Sequence, residues 1–441
     1  AVVRPRVKAF VQKLDRLIQG LDQAARDAVA EHADPESAAE GATTVELPEA
    51  VRERVEIMNR SRAALQDLRW RYESGPSGRG RAPVGITNST GCSSVWGSTY
   101  PYNPYPFPWV NHLFQDAPSI AIGVFEGHMR KMVDGFVEVR RAEALVDGSY
   151  DAERDEPVLG DLEWKNLNDE EFKLCPPILT IGGDGAMLDI GFQNLSRLMA
   201  SGKPIRVLVL DTQVYSNTGG QACTSGFTGQ VADMSAWGQA QHGKEEVRKE
   251  LSYIALAHRG VFVHQSSQAL ASHLMQGVVK GLNSRRPAIF NIYTPCPVEH
   301  GLPDEWAPEA AKLALESRAF PFMTYDPDGG PDIADCLTLD GNPALDQVWP
   351  TYTLSYVDDD GAEQSEEFPL TIADWAVTET RFRKHFTVLK AEEWDEDAHV
   401  LFHEFIALPA AEREGRRPYI WTLGADNRRS RVSVSKEIVF L

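Results

Sequence analysis

Between residues 176 and 300, short β-branched runs alternate with helical patterns, and no other feature constrains the fold of this chain as strongly. The runs cover 178–181, 205–210, 261–263 and 288–293. Helical spacing follows the first run at 186–200. It precedes the last at 267–282, where Leu270, Leu274, Val278 and Leu282 share a face. Strands joined through helices run parallel and need cover on both sides. This stretch therefore predicts an α/β fold: a parallel sheet with helices on both faces.

The flanks read differently. Residues 6–28 and 48–70 form two amphipathic helical patterns, the second carrying Val51, Val55, Met58, Leu65 and Leu68, with Pro48 suited to a first turn. Gly75-Pro76-Ser77-Gly78-Arg79-Gly80-Arg81 reads as a flexible basic linker. Residues 151–173 read as a solvated acidic insertion. Beyond 330 the pattern is irregular α+β, with a hairpin expected from 351–357 and 362–368 around Asp358-Asp359-Asp360-Gly361. The expected domains are a helical segment at 1–80, an α/β domain at 81–330 and a C-terminal extension at 331–441. The chain opens without Met at Ala1 and stops in an apolar run at Leu441, so it is expected to be a piece of something longer.

Composition narrows the function classes. A net charge of −20 over 441 residues repels phosphate backbones and argues against a nucleic-acid partner. No stretch reaches the ~20 apolar residues of a membrane span. Five scattered cysteines (Cys92, Cys175, Cys223, Cys296, Cys336) fit a reducing, cytoplasmic compartment better than a disulfide scaffold. The common nucleotide-loop, zinc-helix and serine-elbow fingerprints are absent.

The chemistry gathers where the first run ends. Ile181-Gly182-Gly183-Asp184-Gly185 places one carboxylate at the carboxyl edge of the sheet, where α/β proteins bind ligands. Gly183 and Gly185 leave room for a phosphate to approach the backbone, and the helix that follows offers free N–H groups. One crossover later the second run enters Asp211-Thr212-Gln213-Val214-Tyr215-Ser216-Asn217-Thr218-Gly219-Gly220-Gln221. Thr212 lies 28 residues after Asp184, about one βαβ unit. Mg²⁺ favours octahedral oxygen ligation completed by phosphate. The Asp184 carboxylate, Thr212 hydroxyl and Val214 carbonyl are candidate ligands.

These motifs resemble the thiamine-diphosphate domain of the pyruvate:ferredoxin (flavodoxin) oxidoreductases, a 2-oxoacid:acceptor oxidoreductase family. Thr90-Gly91-Cys92-Ser93-Ser94-Val95-Trp96-Gly97 resembles its T-G-C-S-S-x-x-G element. Trp109, Asn111, Leu113, Phe114 and Asp116 match beyond it, as does Tyr293-Thr294-Pro295-Cys296 downstream. The resemblance covers about 85–330. It implies that Asp184, Thr212 and Val214 hold Mg²⁺ and through it the thiamine diphosphate. Gly183, Gly185 and Ser216 would belong to the same cofactor site, with Asn217 and Cys92 near the thiazolium and the 2-oxoacid. Cys92 and Cys296 would be two ligands of a [4Fe–4S] cluster. Cys175, Cys223 and Cys336 match no ligand position and read as small buried hydrophobes, and Asp189 reads as structural.

The family's C-x-x-C ahead of the T-G-C-S-S element has no counterpart here. The other two cluster ligands are therefore expected from outside this chain. The carboxylate that activates the cofactor, the CoA site and the substrate anchors are expected on other domains or subunits. The implied reaction is oxidative decarboxylation of a 2-oxoacid, pyruvate favoured, to acyl-CoA and CO₂, with electrons leaving for ferredoxin or flavodoxin and the reverse direction open. A non-redox thiamine-dependent lyase and an inactive subunit keeping the fold are the alternatives. A homo-oligomer is expected.

Overall fold

Each of the four β-branched runs forms a strand in a computed structural model of the chain, which describes residues 3–32, 47–97, 105, 107–112 and 116–440. The strands of the main sheet are β1 Gly85–Ser89, β2 Trp109–His112, β3 Ile178–Gly183, β4 Arg206–Asp211, β5 Phe262–Ser267, β6 Ala288–Tyr293, β7 Met323–Tyr325 and β8 Leu337–Thr338. They lie in the order β2-β1-β3-β4-β6-β5-β7-β8. β3 and β4, β4 and β6, and β5 and β6 pair in parallel.

The strands of 176–300 are parallel as expected, and two further strands make the sheet mixed at one edge. β7 runs antiparallel to β5, and β8 antiparallel to β7. These two short strands fold back along one edge, a common end to an otherwise parallel sheet. All six residues of β5 and of β6 are buried, as a strand covered on both faces requires. The helix Ala271–Asn283 approaches this sheet through Gly277 and Gly281, where an added Cβ would overlap the rings of His264 and Phe290.

By density of internal packing the chain falls into two units, a division different from 1–80, 81–330 and 331–441. One comprises Ala1–Gly85, Pro106–Pro108 and Gly123–Pro177; the other holds the remainder, including 331–441. In the first, the helices Val3–Ala30 and Glu49–Glu73 bury Leu14, Leu21 and Leu65 completely. The acidic stretch is not simply a solvated insertion. It forms the helices Ala152–Gly160 and Asp169–Leu174, with Glu156 bound by Arg141 at 2.7 Å and Glu171 by the Arg140 fork at 2.8 and 2.6 Å. A charge count along the sequence cannot show arginines that arrive from another helix. The glycine-rich stretch is likewise a hydrogen-bonded turn, with Gly80 N–H donating to Ser74 C=O at 2.7 Å.

In the second unit the expected hairpin forms from β9 Thr351–Val357 and β10 Glu363–Pro369. The Asp358 carboxylate closes its turn by accepting the Asp360 and Ala362 N–H groups. A four-stranded sheet follows, β11 Phe386–Val388, β12 His399–Leu401, β13 Arg417–Leu423 and β14 Arg429–Val434, ordered β11-β14-β13-β12. Tyr293 and Phe320 share one apolar core with Trp375, Phe382, Phe402 and Ile438, so the C-terminal region is built onto the α/β part.

Candidate functional site

β3 and β4 lie side by side with Gly183 opposite Leu210, so Asp184 and Thr212 leave neighbouring strands at the same edge. After Gly185 the chain makes a π-helical turn, Ala186–Ile190, before the α-helix Phe192–Ala200. Such turns concentrate at functional sites because they re-aim the first residues of a helix.

Asp184 is buried, and both of its oxygens are engaged. Oδ1 accepts the Thr212 N–H at 3.2 Å and the Thr212 hydroxyl at 3.1 Å. Oδ2 accepts the Ser225 hydroxyl in a short hydrogen bond and the Cys223 thiol at 3.3 Å. Thr212 Oγ1 lies 2.9 Å from the Val214 carbonyl oxygen and 3.3 Å from Ser216 Oγ. An octahedral Mg²⁺ with ligands at 2.0–2.1 Å has neighbouring oxygens about 2.9 Å apart. Thr212 Oγ1 stands near that separation from both the Asp184 and the Val214 oxygen, so the donor set fits the ion, and Ser216 stands at its margin.

Burial and the charge of Asp184 push the Cys223 thiol far up, so it stays protonated and donates. Asp211, at the end of β4, is wholly buried; burial pushes its carboxyl up to about 7 against the pull of Arg248, whose Nη2 donates to it at 2.8 Å. Asp189 accepts the Tyr215 hydroxyl at 2.9 Å and the Thr224 N–H at 3.3 Å, a structural role in agreement with its reading. His300 Nε2 donates to the Thr212 carbonyl at 2.9 Å, and burial, with Arg381 nearby, lowers its pKa to about 4.

The remaining site residues are more open. Asn217 is exposed on the turn Ser216–Thr218. Gly219 and Gly220 follow with positive φ; an added Cβ at Gly220 would overlap the Glu299 carboxylate. A polar cleft of about 410 Å³ borders this turn, lined by Val214, Gly220, Asp233, Trp237 and Glu299 among others. Cys92 is exposed at the start of the helix Cys92–Trp96, with Sγ 3.4 Å from Ser216 Oγ. Cys296 is half-buried, close enough to feel the charge of Cys92, and burial pushes its thiol up. The structure thus brings Cys92, Cys296, Ser216, Thr212 and Asp184 into one region. Two sulfurs are the right donors for iron but half the set a four-iron cluster needs. Among the described residues no group of three or more His, Cys, Asp or Glu side chains is placed to hold a metal ion. Leu113 and Phe114 lie outside the described residues.

Sequence reasoning missed Cys223 and Ser225, which hold Asp184 from a loop with no motif of its own. It also missed Gln213, Gln230, His300, Glu379 and Arg381, which stand behind the turn; Gln213 itself is left-handed (φ 60°).

A carboxylate, hydroxyl and carbonyl converge at the carboxyl edge of the parallel strands, beside a glycine-flanked helix start, where α/β domains bind phosphate-bearing ligands. The thiamine pyrophosphate enzyme, C-terminal TPP binding domain, family matches residues 172–292, which include Asp184, Thr212 and Val214. Pyruvate:ferredoxin oxidoreductase of Moorella thermoacetica is 29% identical over 281 residues, 55% of this chain and 24% of that protein. The probable pyruvate-flavodoxin oxidoreductase of Escherichia coli is 29% identical over 337 residues, 67% of this chain and 28% of that protein. Pyruvate synthase subunit PorB of Methanocaldococcus jannaschii is 29% identical over 241 residues, 55% of this chain and 70% of that protein. Over its matched part this chain is similar to the thiamine-diphosphate-binding part of pyruvate:ferredoxin (flavodoxin) oxidoreductases. It spans about a quarter of the length of the two long relatives.

Proposed function

We propose that this chain is the thiamine-diphosphate and Mg²⁺ binding portion of a cytoplasmic 2-oxoacid:acceptor oxidoreductase. The enzyme converts a 2-oxoacid, with pyruvate favoured, and CoA to acyl-CoA and CO₂, in a reaction open to reversal. A [4Fe–4S] cluster held by Cys92, Cys296 and two ligands from outside this chain would supply one-electron transfer toward ferredoxin or flavodoxin. The observation that carries this reading is the oxygen triad of Asp184, Thr212 and Val214, spaced for Mg²⁺ at the sheet edge.

When bound, the cofactor supplies the electron sink for the carbanion left by loss of CO₂. This chain's residues do the holding. Asp184, Thr212 Oγ1 and the Val214 carbonyl bind the ion that carries the diphosphate, and Ser225 and Cys223 fix the carboxylate's rotation. Gly183 leaves open space for the phosphates, and Gly185 makes room for the Tyr215 ring, which an added Cβ would overlap. Asn217 and Cys92 stand at the open side, where the reacting end of the cofactor and the 2-oxoacid would lie. Cys92 and Cys296 supply two cluster sulfurs, and the other two come from outside the chain. The cofactor-activating carboxylate, CoA site and substrate anchors belong to other domains or subunits, and the assembly is a homo-oligomer of such sets.

Iron and acid-labile sulfide, measured on the anaerobically purified full-length enzyme alongside thiamine-diphosphate binding, test this reading. Cofactor bound together with iron and sulfide supports it. Cofactor without either overturns the redox assignment in favour of a non-redox lyase, and no cofactor binding at all points to an inactive subunit.

A further inference from the structure

The turn that presents Thr212 and Val214 is gripped from behind by a segment far along the chain. Arg381, 3% exposed, donates Nη2 to Gln213 Oε1 at 2.7 Å and Nη1 to Gln230 Oε1 at 3.1 Å. Gln230 in turn donates to the Gln213 carbonyl at 3.0 Å. Glu379, also fully buried, orients the guanidinium by accepting Arg381 Nε at 2.5 Å, and its other oxygen accepts the Tyr293 hydroxyl at 3.2 Å. The Arg381 carbonyl accepts the Val231 N–H at 2.9 Å, and Thr380 donates to the carbonyl of His300, which itself holds Thr212.

Gln213 is the residue that needs this grip. It lies between two candidate Mg²⁺ ligands with φ 60°, a conformation that a non-glycine residue adopts only when its surroundings enforce it. With Gln213 at that φ the Thr212 hydroxyl lies 2.9 Å from the Val214 carbonyl oxygen. A planar fork reaching two amide oxygens at once is a task for arginine and not for lysine.

We propose that Glu379 and Arg381 are positioning residues for the metal cradle: acting through Gln213, they hold the Thr212–Val214 turn in its ion-binding shape. This rests on reading Asp184, Thr212 and Val214 as the Mg²⁺·thiamine-diphosphate seat. It gives the C-terminal region, in which the sequence shows no chemistry, a direct part in cofactor binding.

The test is a calorimetric Mg²⁺ titration at fixed thiamine diphosphate, on the intact enzyme purified with its companion chains, with melting of the ligand-free enzyme as the fold control. Arg381→Lys keeps a charge for Glu379 but loses the fork. Half-saturation is expected to rise 10- to 100-fold, the range for groups that orient metal ligands. Gln213→Leu should give the same loss, and the double variant no more than the larger single one. Lower melting temperatures with unchanged half-saturation reduce the pair to a structural anchor and overturn the proposal, as does full additivity. Should Arg381→Lys fail to fold, Gln213→Leu decides alone, since it leaves the Glu379–Arg381 pair in place. Failure of the underlying reading looks different: wild type itself shows no Mg²⁺-dependent binding, or binds no better than Asp184→Ala.

Discussion

The cradle around Asp184 and the pair formed by Cys92 and Cys296 share one sheet edge but are built on opposite terms. In the cradle, carboxylate, hydroxyl and backbone carbonyl are already held at ligand spacing by Ser225, Cys223, Gln230 and His300. The two sulfurs stand on short helix starts, one exposed and one half-buried. The difference teaches which half of the site this chain builds by itself. The oxygen donors are oriented by buried partners, whereas the two sulfurs are the more open groups. Ser216 joins the two, with its hydroxyl 3.3 Å from Thr212 Oγ1 and 3.4 Å from Cys92 Sγ.

Removing the charge at the centre of the cradle should have the largest effect. Asp184→Ala is expected to weaken Mg²⁺-dependent thiamine-diphosphate binding by at least about a hundredfold, beyond the roughly 10–100-fold typical of groups that merely orient ligands. Calorimetry that finds it within threefold of wild type breaks the comparison at its root. Next, Cys92→Ser should strip iron from the anaerobically purified enzyme while leaving cofactor affinity within about twofold, because the new hydroxyl still reaches Ser216. If both losses occur together, the two regions are one cooperative site and not two.

Cys223→Ala probes the support of the cradle. Ser225 keeps its hold on the same Asp184 oxygen, so affinity should fall only about threefold. Stability should drop by about 1 kcal/mol for the lost buried hydrogen bond, read from urea midpoints.

A further effect concerns acid sensitivity, which belongs to neither region. His264 is fully buried in β5 and bonded to Thr324 at 2.9 Å; burial, with His273 beside it, lowers its pKa to about 4. Its unfolded value is near 6.5, so between pH 6.5 and 4 the unfolded chain takes up a proton that the native state refuses. Stability therefore falls as pH falls through that window. His264→Gln should flatten the fall by about 1–2 kcal/mol between pH 7 and 5, measured by urea unfolding at both. An unchanged slope places the acid-labile group elsewhere.

Much of this was legible in the residues. The last β-branched run coincides with β6, and the 351–357 run coincides with β9. The Asp184–Thr212 spacing translated directly into adjacent strand ends. Periodicity reports such things because each strand's alternatives are decided by neighbours a few residues away. Residues 151–173 keep Asp151, Glu153, Asp161, Glu163, Asp169 and Glu170 exposed, while Glu156 and Glu171 are bound by Arg141 and Arg140, which a charge count cannot show. Asp358-Asp359-Asp360-Gly361 was read correctly as a turn, since Asp358 caps its own loop locally.

The sequence by itself determined the α/β class, the placing of Asp184 and Thr212 at one edge, the cofactor chemistry that edge suits, and the likeness that Cys92 and Cys296 carry. Only the tertiary structure decided that Cys223 and Ser225 hold the carboxylate, that two edge strands run backwards, and that Glu379 and Arg381 stand behind the Thr212–Val214 turn. Arg381 meets Gln213 across 168 residues and Gln230 across 151. Contacts at such separations leave no local period to read; they arise when distant segments share one core, where a buried charge must find its partners or not be buried at all.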